Sequence, residues 1–292
     1  MASDVHYLDL KDYNFKETPK SVKIFWNIMK YVVLVISCLL VIVPLLTVLI
    51  GSFKTQQEVL VTAAYEFPAV PQWENYKTAF INGKIMNGLL NTVFILAVSC
   101  LGSVITGTMT AFVVQRFNML FTRFVKAIFL FTSLLPSITM QISVYQVMNA
   151  LGLVETYAAP IILYIGTDII AVTIFIQFLD NISVSLDESA ILDGCSYPRV
   201  YWSIILPMLR PAIATVLVMK FVGIYNDFYT PYLYMHEHRV VSTALNEFVS
   251  GSSVRWNVIF AAVVICIIPT LIVFLSMQKS IYSNLVSGSV KE

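Results

Sequence analysis

The sequence predicts an all-α polytopic membrane protein of six transmembrane helices, and three observations carry that prediction. Of its 292 residues, 58% are hydrophobic and 12% are charged, against about 25% charged in typical soluble domains. Apolar runs recur along the chain at or near the ~20 residues that cross ~30 Å of hydrocarbon. Lys and Arg also concentrate in alternate connecting segments, as the positive-inside tendency requires of a chain that weaves through a bilayer.

Residues 1–30 are polar, with Lys11, Lys16, Lys20, Lys23 and Lys30 set among acids. A signal peptide has a shorter charged region, a shorter apolar core and a small-residue cleavage site, and this segment has none of these. The expectation is a retained cytoplasmic tail. Its stretch Ile24 to Met29 either lies amphipathically on the bilayer surface or is simply solvated.

Residues 31–50 form the first span, Tyr31 to Ile50, which carries Pro44. Residues 51–88 read as an extracytoplasmic loop with one short helix near Trp73 to Phe80, its aromatics suited to the membrane interface. Residues 89–277 hold the other five spans. These are Leu89 to Val114, rich in Gly, Ser and Thr; Ala127 to Met148, with Pro136 inside it; Tyr157 to Phe178; Ala212 to Tyr225; and Val258 to Met277. Residues 278–292 form a second cytoplasmic tail.

With the N-terminus inside, the inner segments hold those five lysines and Arg116, Arg123, Lys126, Arg199, Arg210, Lys279 and Lys291. The outer loops hold only Lys54, Lys77, Lys84, Arg239 and Arg255. Both termini are therefore expected in the cytoplasm, and so is the loop 185–207.

That loop has the local chemistry of a short helix, a turn and a second helix. Ser185 suits an N-cap, with Glu188 three positions on to close a capping box. Gly194 suits a left-handed residue after the last turn, and Pro198 suits the start of the second segment. Pro207 and Pro211 lack an N–H and fit the junction with the fifth span.

Several function classes are set aside. There is no G-x-x-x-x-G-K-[ST] phosphate loop, so the chain has no means of cradling ATP phosphates itself. Neither H-E-x-x-H nor G-x-S-x-G occurs, and no nucleophile and base pair suggests a hydrolase; no catalytic residue is assigned. His236-Glu237-His238 on an outer loop reads as solvated rather than as a metal site. Cys38, Cys100 and Cys266 fall in apolar spans and Cys195 stands alone, so neither a disulfide nor a metal pair is expected. A net charge of +1 gives no sign of nucleic acid.

Polar groups inside the spans are the candidates for function. Asp168 and Lys220 each cost about 2.5 to 3.5 kcal/mol at the bilayer centre on insertion scales. They either face a solvated pathway or pair with each other. Tyr225, Asn226, Asp227 and Phe228, followed by Tyr229, Tyr232 and Tyr234, combine flat aromatic faces with hydrogen-bonding groups. Sugars present apolar C–H faces and a rim of hydroxyls, so this mixture fits a sugar path, and it equally fits an aromatic belt with helix-capping polar residues. Gln141 and Tyr145, with Ser143 and Gln146, are further path candidates that serve equally well as interhelical glue.

The loop also carries a family likeness. Glu188-Ser189-Ala190, three residues, Gly194, nine residues and Ile204-Ile205-Leu206-Pro207 resembles the EAA motif of ABC importer permeases, with Ser189 in place of the middle Ala as the one departure. Asn226-Asp227-Phe228 with Pro231, and the ending from Gln278-Lys279 to Ser287-Gly288-Ser289-Val290-Lys291, resemble the carbohydrate permeases of the maltose-transporter MalG type. Tyr225 stands where those commonly have Trp.

The likeness implies a type I (MetI-like) permease core with a cytoplasmic coupling helix. Glu188, Ser189, Ala190, Asp193, Gly194 and Pro207 would engage an ATPase, and Tyr225 to Phe228, Gln141 and Tyr145 would border the path. It implies as partners a homologous second permease, two cytoplasmic ABC ATPases that bind the ATP and Mg, an extracytoplasmic solute-binding protein, membrane lipid and a sugar, expected to be an oligosaccharide. A glycerol phosphate or polyol importer is the rival within transport. A non-transporting membrane structural or receptor subunit is the rival from another class.

Overall fold

The computed structural model describes residues 20–81, 83–117, 119–166, 168–250 and 254–289. Those residues form helices and connecting turns. In chain order the helices are α1 Lys20–Ser52, α2 Gln56–Val61, α3 Glu74–Ile81, α4 Ile85–Arg116, α5 Leu120–Ser133, α6 Ser137–Ala150, α7 Ala158–Gly166, α8 Ile169–Leu179, α9 Val184–Leu192 and α10 Tyr197–Val200. A π-helical stretch, Tyr201–Ile205, leads into α11 Leu206–Met208. Then follow α12 Arg210–Asn226, α13 Tyr229–Tyr234, α14 Val241–Ser250 and α15 Trp256–Ser289.

The bundle is built on α4, which packs against α7, α8, α12 and α14. Small residues on α4 make this approach possible. A Cβ added at Gly107 would sit 3.0 Å from the Phe175 ring of α8, and one at Gly102 would sit 2.2 Å from Ile165 of α7. Buried Ser99, Ser103 and Thr108 line the same helix, and Ser103 donates to the Tyr164 carbonyl at 3.2 Å. Small and hydroxyl-bearing residues at helix contacts are what a bundle in lipid uses in place of a hydrophobic driving force.

Around this core, α1 lies against α15 and little else. Its apolar side chains are exposed all round, Leu40 by 71% and Tyr31 by 67%, which suits a helix surrounded by lipid. It runs unbroken from Lys20, so Ile24 to Met29 begin the same helix as the first span and are not a separate surface segment. At the other end of the chain α15 continues to Ser289, so the boundary expected at residue 278 is not a break in the backbone. The tail cations Lys11, Lys16 and Lys291 lie outside the described residues.

Among the described residues, four helices are long and apolar enough to cross a membrane: Val22–Ser52, Ile85–Arg116, Ala158–Leu179 and Trp256–Gln278. A fifth is formed if Tyr197–Met208 and Arg210–Asn226, bent by 70°, count as one span. The third expected span is divided into α5 and α6, of 14 residues each. Pro136 causes the division: it lacks a backbone N–H and stands extended, φ −66° and ψ 119°, as the residue before α6. The fourth comprises α7 and α8, and Asp168 caps the second of them by accepting from the Ala171 N–H at 3.1 Å.

The two ends of α4 define the two ends of the molecule. Near Ile85, α4 meets α3 and α14: the Val241 N–H donates to Thr92 Oγ1 at 3.0 Å, and Asn91 donates to the Arg239 carbonyl at 2.7 Å. The segment 236–255, expected as an outer loop, contains a packed helix with Val241 and Ala244 buried. The segment 51–88 holds the expected helix as α3 and also α2, which is started by a Thr55–Glu58 capping box that the sequence reading passed over. Asn75 of α3 donates to the Ser52 and Lys54 carbonyls and accepts from Asn257 of α15, pinning this end together. Near Arg116, α4 meets α9.

Candidate docking and coupling site

The helix expected at Glu188 exists, and its ends are closed by local chemistry. Its N-cap is Ser183 rather than Ser185: the Ser183 hydroxyl accepts from the Ser185 N–H at 3.3 Å and bonds the Ser185 hydroxyl at 2.7 Å. The chain has already turned after Asp180, so helical geometry begins two residues earlier than the capping-box spacing suggests. Glu188 consequently makes no capping box and stands exposed.

The C-terminus follows the expectation. Gly194 has φ +85°. The Cys195 N–H reaches the Ala190 carbonyl and the Gly194 N–H reaches the Ile191 carbonyl, both at 2.9 Å. This is the Schellman arrangement, which satisfies the last carbonyls of a helix and needs a left-handed residue at that position. No atom lies within 4 Å of where a Gly194 Cβ would stand, so backbone conformation and not space selects glycine.

The faces of α9 divide cleanly. Ala190 is buried in a cluster with Phe112 of α4, Phe175 and Leu179 of α8, and Val200, Tyr201, Ile205 and Leu209. Glu188, Ser189 and Asp193 are exposed, and Leu192 is 88% exposed.

Pro198 sits in the first turn of α10, as expected. The bend of 70° falls at Leu209, between Pro207 in α11 and Pro211 in the first turn of α12. Tyr201 anchors the segment inward, its hydroxyl 2.7 Å from that of Thr108 on α4.

A charge pair that sequence reading missed ties α9 to α4. Arg116 Nε lies 2.6 Å from Asp187 Oδ2, with both side chains 7% exposed, and Arg116 Nη2 donates to the Ile182 carbonyl at 3.0 Å. Asp187 lies three residues before Ala190, so it shares the inward face. That spacing was the available signal, and the adjacent Glu188 of the motif drew attention away from it.

In mid-bundle the structure brings Asp168 and Lys220 together. Lys220 Nζ is 2.9 Å from Asp168 Oδ2, each side chain 13% exposed, and it also donates to the Tyr164 carbonyl. The pair opens on a cavity of about 590 Å³ lined by Tyr164, Asp168, Ile174, Met219, Lys220 and Asp227, among others. Asp227 accepts from the Tyr164 hydroxyl at 2.8 Å and from the Thr230 N–H at 3.3 Å.

The other path candidates separate. Tyr225 is buried, stacked on Phe221, and donates to the Cys266 carbonyl of α15 at 2.7 Å, so it packs α12 against α15 and lies away from the cavity. Asn226 is exposed and bonds back to the Val222 carbonyl. Phe228 stacks on Tyr232 with ring centroids 5.0 Å apart. Tyr145 lies against Tyr234 at 5.6 Å, while Gln141 is half-buried.

At the α14 end, a second cavity of about 500 Å³ is lined by Lys84, Asn91, Tyr157, His236, His238 and Arg239, among others. The two histidines have different partners. His236 is 2.9 Å from Glu155 Oε1, and His238 stacks on Tyr157 at 4.9 Å. Burial pushes the Glu155 carboxyl up, but the Glu237 N–H and His236 outweigh it and hold the group below its ordinary value.

Both the sequence and the fold have counterparts among known proteins. Residues 103–286 fit the family described as "Binding-protein-dependent transport system inner membrane component". The chain is 31% identical over 261 residues, 88% of this chain and 94% of the other, to the "Probable starch degradation products transport system permease protein AmyC" of Thermoanaerobacterium thermosulfurigenes. It is 25% identical over 266 residues, 89% of this chain and 88% of the other, to the "Diacetylchitobiose uptake system permease protein NgcG" of Streptomyces coelicolor. Its fold superposes with a TM-score of 0.79 on a chain of a bacterial ABC transporter involved in the import of alginate, at 21% identity and covering 90% of this chain and 98% of that one. The matched family spans α4 to α15 with the α9 turn at its centre, and the chain belongs to the binding-protein-dependent transport system inner membrane components.

Proposed function

We propose that the chain is the permease subunit of an ATP-driven importer that moves an oligosaccharide by alternating access. The observation that carries this is α9: a helix closed at both ends, rooted in the core through Ala190, and presenting Glu188, Ser189, Asp193 and Leu192 outward. A short rigid helix transmits displacement that a loose loop would absorb. The partner on that face is an ABC ATPase that holds the ATP and Mg. A second, homologous permease completes the path, and a solute-binding protein delivers substrate on the α14 side. The oligosaccharide reading is supported by the relatives, whose names refer to starch degradation products and diacetylchitobiose.

In this reading the α9 end faces the cytoplasm together with both termini, in line with the distribution of Lys and Arg. The cavity beside Asp168, Lys220 and Asp227 borders the path, since ionised groups at membrane depth face a protein interior or water and not lipid.

The experiment is a detergent pull-down of the tagged chain from its native membrane beside the same pull-down of Glu188→Lys. The expected outcome is a phosphate-loop ATPase and a second permease with the wild type, and loss of the ATPase alone with the variant. Recovery of the chain with neither protein would contradict the reading.

A further inference from the structure

The last turn of α4 is a junction of four helices. Arg116 pairs with Asp187 in the first turn of α9 and donates to the Ile182 carbonyl just before it. Its neighbour Gln115 donates to Asp180, the residue that caps the end of α8. The same Gln115 accepts from Lys126 Nζ of α5 at 3.2 Å. Two consecutive residues therefore tie the middle of α5, the C-terminal end of α8 and the first turn of α9 to α4.

The electrostatics at this junction agree. Arg116 is the final residue of α4, where the helix dipole favours a cation, and Asp187 lies in the opening turn of α9, where it favours an anion. Each charge is favoured by its own helix end before the two meet, and with both side chains 7% exposed little solvent screens the pair.

The covalent route out of α9 is different in kind. It runs through the left-handed turn at Gly194, where nothing lies within 4 Å of a Cβ position. That turn is held by two backbone hydrogen bonds of its own, whereas the Arg116 junction ties α9 to other helices.

We propose that force applied to α9 enters the bundle through the Arg116–Asp187 pair, so that α9, α4 and the end of α8 move as one body. Arg116 and Asp187 are thus positioning residues: they touch no nucleotide and no transported molecule. The inference rests on the permease reading above and adds to it the route by which an ATPase moves the spans.

The test uses the purified complex of the chain with its ATPase in proteoliposomes. Nitroxide labels are placed at Val184 on α9 and Val113 on α4, both exposed. Their separation is measured nucleotide-free and trapped with ATP and vanadate. The expected result in the wild type is a separation that changes by less than about 2 Å, the scale of ordinary helix shifts.

In Arg116→Gln and in Asp187→Asn, the same label pair separates on trapping while ATP hydrolysis persists. The charge swap, Arg116→Asp with Asp187→Arg, restores the fixed separation. A wild-type separation that moves with nucleotide overturns the inference, as does a fixed separation in both single variants. If the single variants do not accumulate, the wild-type measurement decides alone. A complex that lacks any ATPase sinks the permease reading instead, so the two failures are distinguishable.

Discussion

Among the described residues, the ion pairs Arg116–Asp187 and Lys220–Asp168 each join helices of this bundle, and they sit in different surroundings. Arg116–Asp187 at the α9 end is closed, with both side chains 7% exposed. Asp168–Lys220 in mid-bundle is 13% exposed on each side and opens on a cavity of about 590 Å³. The first joins two helix ends whose dipoles already favour its charges. The second joins a helix cap to the middle of α12, where neither dipole helps Lys220. The first pair therefore fits a fixed joint, and the second fits the wall of a space that other groups enter.

The largest expected effect breaks the second pair. Lys220→Met leaves the Asp168 carboxylate unpaired at membrane depth, and removing one partner of a buried pair costs about 3 to 5 kcal/mol. Thermal unfolding of the detergent-purified chain reads it. Adding Asp168→Asn, which keeps an N-cap for the Ala171 N–H, removes the orphaned charge and is expected to recover most of the loss. If Lys220→Met alone unfolds at the wild-type temperature, the pair is not a structural tie and the contrast with Arg116–Asp187 disappears.

Next in size, Gly194→Val forces a β-branched residue to φ +85°. The left-handed region costs an ordinary L residue about 1 to 2 kcal/mol. Because the site is spacious, the loss is strain without a clash. Gly223→Ala, in the interior of α12 with equal space around it, is the matched control and is expected to be neutral or slightly stabilising. Equal losses at both positions would mean that the α9 turn has no special conformation.

A smaller effect separates the two serines at the start of α9. Ser183→Ala is expected to cost about 1 kcal/mol and Ser185→Ala only a few tenths. The reverse order would return the cap to Ser185. The smallest effect is at the opposite end, in the pair Glu155–His236, whose side chains are 36% and 61% exposed. Glu155 titrates below its ordinary value of 4.5. Its contribution is therefore present above that pH and is lost as the pH falls through the lower folded value. Amide exchange at residues 235–239 should rise only in that acid range, and Glu155→Gln should remove the dependence.

The same contrast explains what could be read from the sequence. Features set by a few neighbouring residues were legible: the α9 helix, the left-handed Gly194, Pro198 in a first turn, and a junction at Pro207 and Pro211. Features set by which helix lies alongside were not. Tyr225 looked like part of an aromatic path, yet its ring turns to α15, and nothing local to Tyr225-Asn226-Asp227-Phe228 distinguishes the inward residue from Asp227 at the cavity. Arg116 and Asp187 are 71 positions apart in the chain, and their pairing is a fact of packing alone. The division of the third expected span was written in Pro136, but an apolar run counted without regard to its proline reads as one helix.

The most direct measurement of the central claim places a photo-cross-linking residue at Leu192, the 88% exposed tip of α9, and a second at Leu275 on α15, 60% exposed on the apolar surface. Both variants are irradiated in the native membrane. The account predicts that Leu192 captures a phosphate-loop ATPase and that Leu275 does not. A Leu192 variant that inserts normally and captures no ATPase, or captures one no better than Leu275 does, would contradict it.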